Sequence, residues 1–250
     1  MFRLAIPSCH SSYADISYGF GRQCRTLHDV SQQRTTVLSL LAFALVGIAV
    51  KLNLLVPADQ ATEAWMPRHI TPFHTTLMLA ATELASTAFV LPTTALLGAV
   101  LAVRKSGYWV GRLALSVPAG VLLNELLKYM FHRSRPALEH PLVKLPSYSF
   151  PSGHALAATV FYGFTAILLW SYVAPKVWRV VIGTAIAVVI LMVGFSRVYL
   201  GAHYLSDVLA GFLEGATWLS IVGMITNRYR PATTETTLAA KAAGVGSHIR

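Results

Sequence analysis

Apolar residues run in long unbroken blocks along this chain, and polar residues concentrate at the joints between them. Six blocks reach the roughly 20 residues that an α-helix needs to cross a bilayer. They run approximately from Thr36 to Val56, Ser86 to Val103, Leu113 to Phe131, Gly153 to Val173, Val177 to Phe195 and Tyr204 to Thr226. Strands of a membrane barrel would alternate apolar and polar residues, and these blocks do not, so they read as helices. Pro92 and Pro118 fall inside spans, where neighbouring helices can accommodate them. The segment from Pro57 to Ala85 is mixed, with Asp59, Glu63, Arg68, His69, His74 and Glu83 among apolar residues. It predicts one or two short helices at the outer interface. The expected fold is all-α: an integral membrane six-helix bundle with short interfacial helices in the first outer loop. Residues 1–35 are expected to be a cytoplasmic N-terminal segment, 36–226 the membrane domain, and 227–250 a cytoplasmic, disordered tail of small polar residues.

Composition supports the membrane reading. Hydrophobic residues make up 55% of the 250 and charged residues 12%. Soluble domains carry about 25% charged residues. The net charge of +10 raises nucleic acid as a partner. Its distribution argues against one, because the basic residues punctuate apolar runs and form no continuous stripe. Counting Lys and Arg joint by joint gives an orientation. The N-terminal segment, the second-to-third and fourth-to-fifth joints and the tail hold thirteen of the 20. The positive-inside rule then places both termini in the cytoplasm. The loops from His132 to Ser152 and from Ser196 to His203 face outward. Cys9 and Cys24 precede the first span, with no metal or redox spacing, and read as free thiols. The polar start leaves no room for the apolar core of a cleavable signal peptide.

Ionisable residues at the ends of spans are costly and therefore functional candidates. Three groups stand out. In KYMFHRSRP, Lys128 and Arg135 are seven residues apart, about two helical turns. If the helix continues to Pro136, both cations share a face and can clamp phosphate oxygens. In PSGH, Ser152 is a natural N-cap residue and Gly153 permits close backbone approach. The helix start there offers N–H groups to an anion, and His154 on the first turn can donate a proton. In SRVYLGAHYLSD, His203 and Asp207 are spaced i, i+4. A carboxylate at one ring nitrogen leaves the other free to attack, and Arg197 adds a third cation. Each group alone also fits a plainer role: a snorkelling lysine with headgroup arginines, a capped helix start, an interfacial histidine. Together they fall on one side of the membrane in a topology derived from charge alone. Three cations, backbone donors, two histidines and a carboxylate suit phosphoryl transfer. A serine-hydrolase triad is disfavoured because no G-x-S-x-G elbow occurs. No metal is expected, since the cations would repel a divalent ion and only Asp207 accompanies the histidines. Outside these groups, Glu125 is placed to neutralise Lys128, and Glu214 to pair inside the bundle. Arg133 and Lys144 read as headgroup contacts, and His132 and His140 as loop histidines.

These three groups resemble the signature motifs of the type 2 phosphatidic acid phosphatase superfamily, in order and spacing. The matching positions are Lys128, Arg135 and Pro136; Pro151, Ser152, Gly153 and His154; and Ser196, Arg197, His203 and Asp207. The resemblance implies a metal-independent and cofactor-free phosphatase in which His203 becomes phosphohistidine. It implies that Asp207 orients His203 and that His154 protonates the leaving group. Lys128, Arg135, Ser152, Gly153 and Arg197 would hold the phosphate oxygens. The implied partner is a lipid phosphate in the bilayer: phosphatidate, phosphatidylglycerol phosphate or a polyprenyl (di)phosphate. The implied setting is a bacterial inner (plasma) membrane, with the site on the extracytoplasmic side. Alternatives are a phosphotransferase with the same intermediate and a non-enzymatic lipid transporter or scaffold. The motifs say nothing of oligomeric state. The six spans separate the chain from the superfamily's vanadium haloperoxidases.

Overall fold

The computed structural model describes residues 17–137 and 147–229. His140, Lys144, Cys9 and most of the expected tail lie outside them. Among the described residues the secondary structure is helical throughout: α1 (Ser17–Lys51), α2 (Val56–Trp65), a 3-10 turn (Met66–His69), α3 (Pro72–Glu83), α4 (Thr87–Val103), α5 (Gly107–Phe131), α6 (Gly153–Tyr172), α7 (Lys176–Tyr199) and α8 (Leu205–Asn227). Six segments are long and apolar enough to cross a membrane. They match the six blocks, with one correction. The mixed segment does form short helices, but the apolar α3 runs on into α4. The second candidate span is therefore Pro72–Val103, 32 residues long, interrupted near Leu84 to Ser86. The first helix also ends at Lys51, before the expected Val56. The Lys51 ammonium donates to the Phe131 carbonyl at 3.0 Å, tying α1 to the end of α5.

Helix α6 is the centre of the bundle and packs against α5, α7 and α8. Its partners on α4 and α5 form the main apolar cluster, built from Val90, Leu113, Val117, Leu156, Val160 and Phe164. Small residues let α8 come close on the other side. A Cβ on Gly211 would stand 2.5 Å from the Ser152 carbonyl oxygen, and one on Gly215 would stand 2.7 Å from Thr159 Cβ. That approach places the start of α8 beside the start of α6, where the Ser152 N–H donates to the Asp207 carbonyl at 3.0 Å. Helix α1 packs along α8, with Thr217 donating to Ser39 at 2.9 Å and Gln32 to the Ser220 carbonyl at 3.1 Å. The C-terminal ends of α5 and α7 and the N-terminal ends of α6 and α8 meet at one end of the bundle. All three motifs are therefore brought together.

Candidate active site

Helix α5 carries Lys128 on its last turn and ends at Phe131, where the third apolar block ends, so it does not continue to Pro136. His132 takes the left-handed conformation, φ 51°, and its N–H bonds the Lys128 carbonyl at 3.0 Å. Lys128 and Arg135 therefore do not share a helical face. Beyond the helix, Arg133 and Arg135 find partners on other elements. Arg135 Nε donates to the Ser147 carbonyl and Nη1 to the Ala202 carbonyl, both at 2.7 Å. Nη1 also stands 3.1 Å from His203 Nε2. Lys128 is buried and pairs with Glu125 at 2.6 Å, as the i, i+3 spacing predicts.

Those contacts settle the His203 tautomer. A guanidinium only donates, so Nε2 accepts and the ring proton sits on Nδ1. Nδ1 faces the Ser149 carbonyl at 2.8 Å. The Asp207 carboxylate, expected to be the direct partner, is farther away at 3.6 Å. Its Oδ2 instead accepts from the Tyr204 N–H at 3.0 Å and from the Ser149 hydroxyl. Ser149 thus contacts both members of the pair, and no spacing in the sequence pointed to it. Burial pushes the His203 pKa down to about 4; Arg135 and Arg197 add to this and Asp207 opposes it.

Ser152 is the N-cap of α6 by backbone geometry, but its hydroxyl makes no capping bond. That hydroxyl is buried without a partner. The first N–H groups of α6, from Gly153 onward, have no acceptor within the helix. Arg197 is 2% exposed and donates to Thr82 at 2.5 Å, while its Nε and Nη2 are buried and unpaired. Buried cationic N–H groups without acceptors are costly and mark a place where an anion belongs. His154, Lys128, Arg135, Gly153 and His203 line a cavity of about 190 Å³. Pockets that enclose a drug-sized ligand run from about 300 Å³ upward, so this one suits a phosphate and its nearest atoms. Among the described residues no three His, Cys, Asp or Glu side chains gather as metal ligands.

Two further residues went unrecognised in the sequence. Asp59 of α2 is 2% exposed and accepts from the Ser206 N–H at 3.0 Å. Arg133, expected at lipid headgroups, bridges Asp59 at 2.7 Å and Asp207 at 2.5 Å. Glu214 pairs inside the bundle as expected, accepting from Asn124 at 2.8 Å.

A multi-pass helical membrane protein with cations, a helix start and a neutral histidine around a small cavity has the equipment of a phosphoryl-transfer enzyme. A family model described as the PAP2 superfamily matches residues 109–236. Phosphatidylglycerophosphatase B of Bacillus subtilis (strain 168) is 35% identical over 182 residues, covering 70% of this chain and 86% of that protein. An undecaprenyl-diphosphatase of Sulfolobus acidocaldarius is 37% identical over 139 residues, covering 54% of this chain and 61% of that protein. The crystal structure of a transmembrane PAP2-type phosphatidylglycerolphosphate phosphatase from Bacillus subtilis superposes with a TM-score of 0.73 at 30% identity. It covers 79% of this chain and 98% of that one. The chain belongs to the PAP2 superfamily and is a membrane phosphatase of that type.

Proposed function

We propose that this membrane lipid phosphatase transfers the phosphoryl group of its substrate to His203 Nε2 and then to water. The observation that carries the reading is the buried Arg197 with two unpaired donors, together with an unpaired Ser152 hydroxyl and the free start of α6. These donors, with Lys128 and Arg135, would hold the phosphate oxygens. Arg135 Nη1 would exchange His203 Nε2 for a phosphate oxygen, releasing the lone pair as substrate arrives. In the first step the N–P bond forms, the P–O bond to the lipid breaks, and His154 gives its proton to the departing oxygen. In the second, water attacks phosphorus while His154 takes its proton, and the N–P bond breaks to release inorganic phosphate.

The small cavity supports a substrate whose chains stay in the bilayer. Each buried methylene is worth about 0.8 kcal/mol, so even a ten-carbon chain concentrates the head group at the pocket. The named activities of the relatives support phosphatidylglycerophosphate, phosphatidate or a polyprenyl diphosphate as substrate. The Lys and Arg distribution supports an extracytoplasmic pocket with both termini in the cytoplasm.

The test is a panel of lipid phosphates offered to the purified protein in mixed micelles, with released phosphate measured. Long-chain lipid phosphates should exceed p-nitrophenyl phosphate in kcat/KM by about 10²-fold or more at matched surface dilution. Acid-labile phosphate should be trapped on the wild type and be absent from His203→Ala. Normal turnover by His203→Ala would end this mechanism. Sidedness has its own check. A single cysteine at the exposed Ala137 should react with an impermeant reagent in intact cells, and one at the exposed Arg104 should not.

A further inference from the structure

We propose that Arg133 is a positioning residue, held between Asp59 and Asp207, through which the short helix α2 sets the geometry of the His203–Asp207 pair. The inference rests on the phosphohistidine reading above. Helix α2 is otherwise exposed or half-buried, and Asp59 is its buried residue. A buried carboxylate needs partners, and these come from the two distant elements that build the site. Ser206 of α8 gives it both its N–H, at 3.0 Å, and its hydroxyl, at 2.6 Å. Arg133, in the segment leaving α5, gives it Nη2 at 2.7 Å.

The same guanidinium turns Nη1 to Asp207 Oδ1 at 2.5 Å and to the Ser206 hydroxyl at 2.7 Å. It lies over the Tyr204 ring, 4.2 Å from the centroid. One planar fork thus serves two carboxylates at once, which a lysine ammonium cannot reproduce with the same geometry. Burial disfavours the Arg133 charge, but Asp207 and Asp59 outweigh it and raise its pKa above the usual arginine value.

The consequence for the reaction follows from where Asp207 would otherwise go. Its Oδ2 is fixed by the Tyr204 N–H and the Ser149 hydroxyl, and Ser149 also presents the carbonyl that holds His203 Nδ1. Arg133 restrains the other oxygen. With that restraint loosened, the carboxylate is free to rotate, Ser149 loses its fixed partner, and the direction of His203 Nε2 changes. Arg133 Nη1 and Nη2 are both taken up by Asp59, Asp207 and Ser206, so it acts through Asp207 and not by holding phosphate. A defect at Arg133 or Asp59 should therefore appear in the chemical step and not in binding.

The test uses the full chain in detergent, with Asp59→Asn and Arg133→Lys made singly and together. Four quantities are read: kcat and KM with dioleoyl phosphatidate, the single-turnover rate of phosphoenzyme formation, and inhibition by vanadate, a mimic of pentacoordinate phosphorus. We expect kcat and the phosphorylation rate to fall together by about 10- to 100-fold, the scale of a misplaced reacting group. KM should be unchanged, vanadate affinity should fall in step with kcat because the mimic needs the same Nε2 geometry, and the double variant should fall no further than Arg133→Lys. Wild-type kcat in both single variants would overturn the proposal. So would a loss of thermal stability with an unchanged rate of phosphoenzyme formation in the folded fraction, which is what a merely structural bridge produces. If neither charged variant folds, Ser206→Ala decides, because it removes one hydroxyl from Asp59 without changing charge. A several-fold loss of kcat at constant KM supports the proposal, and unchanged kcat overturns it. Failure of the underlying mechanism looks different: no acid-labile phosphoenzyme would form even on the wild type, and this proposal would fall with it.

Discussion

Each end of the bundle buries an arginine, and the two arginines are treated differently. At the end away from the cavity, Arg112 is 8% exposed and donates to the Tyr108 hydroxyl at 2.9 Å. Tyr108 donates to Asn227 at 3.0 Å, and Asn227 donates to Gln32 at 3.2 Å. The Arg112 guanidinium also lies 5.6 Å from the Trp109 ring, and it leaves no buried nitrogen unpaired. At the cavity end, Arg197 keeps two buried nitrogens without acceptors, and the Ser152 hydroxyl at the start of α6 is in the same condition. A satisfied network joins helices and needs nothing more. An unsatisfied one gives up stability and gains it back when an anion arrives. On the proposed function, the difference separates a polar contact that builds the fold from one that would receive a substrate.

The strongest way to break this comparison is to remove each arginine in turn. Arg197→Ala should lower kcat by about 10²- to 10³-fold, as loss of a donor to developing charge does. Its thermal midpoint in detergent should hold or rise, because an unpaired buried charge is gone. Arg112→Ala should behave in the opposite way. It should lose about 2 kcal/mol of stability, the scale of hydrogen bonds to a charged group, while the folded fraction keeps its specific activity. Equal stability losses at both ends would erase the distinction.

A second prediction sharpens the cavity end through pH. In the proposed mechanism His203 would attack only with Nε2 unprotonated. Burial disfavours the charged ring, so the nucleophile persists down to about pH 4 and is lost as the pH falls through that value. Nitrogen-15 spectra of labelled histidine, with His203→Gln as the difference standard, should show one ring titrating there. Titration near the ordinary value of about 6.5 would contradict the buried, neutral ring.

Smaller effects follow. A Cβ on Gly153 would meet Asn124 Oδ1 at 3.0 Å and Lys128 Nζ at 3.2 Å. Gly153→Ala should push the flexible lysine end aside and raise KM a few-fold, with the thermal midpoint unchanged. The smallest expected effect is none at all. EDTA should leave the rate unaltered if Lys128, Arg135 and Arg197 supply the charge that a divalent ion supplies elsewhere. A strict need for added magnesium would reassign that work.

Burial and hydropathy also part company inside the bundle. The candidate span of α7 has a mean hydropathy of 2.3 and is 11% buried, while that of α6 has 1.5 and is 56% buried. In a bilayer the most apolar helix can be the most peripheral, since lipid tails are as apolar as leucine. That is why the six spans were legible from hydropathy while their arrangement was not. The i, i+3 pair of Glu125 and Lys128 was legible too, because helical spacing alone brings those groups together.

The sequence by itself determined the six apolar blocks, their helical character and the three clusters of charged and histidine residues. Each of these is a local property, set by composition and spacing within a few turns of chain. Only the tertiary structure decided that Lys128 and Arg135 do not share a helical face, that Arg135 reaches the site from a non-helical segment, and that Ser149 contacts both His203 and Asp207. It alone brought Asp59, 74 residues away in sequence, onto Arg133. No periodicity encodes such a contact. It exists because a buried carboxylate is costly alone and a half-buried guanidinium can satisfy it, and the packing of α2, α5 and α8 is what allows them to meet.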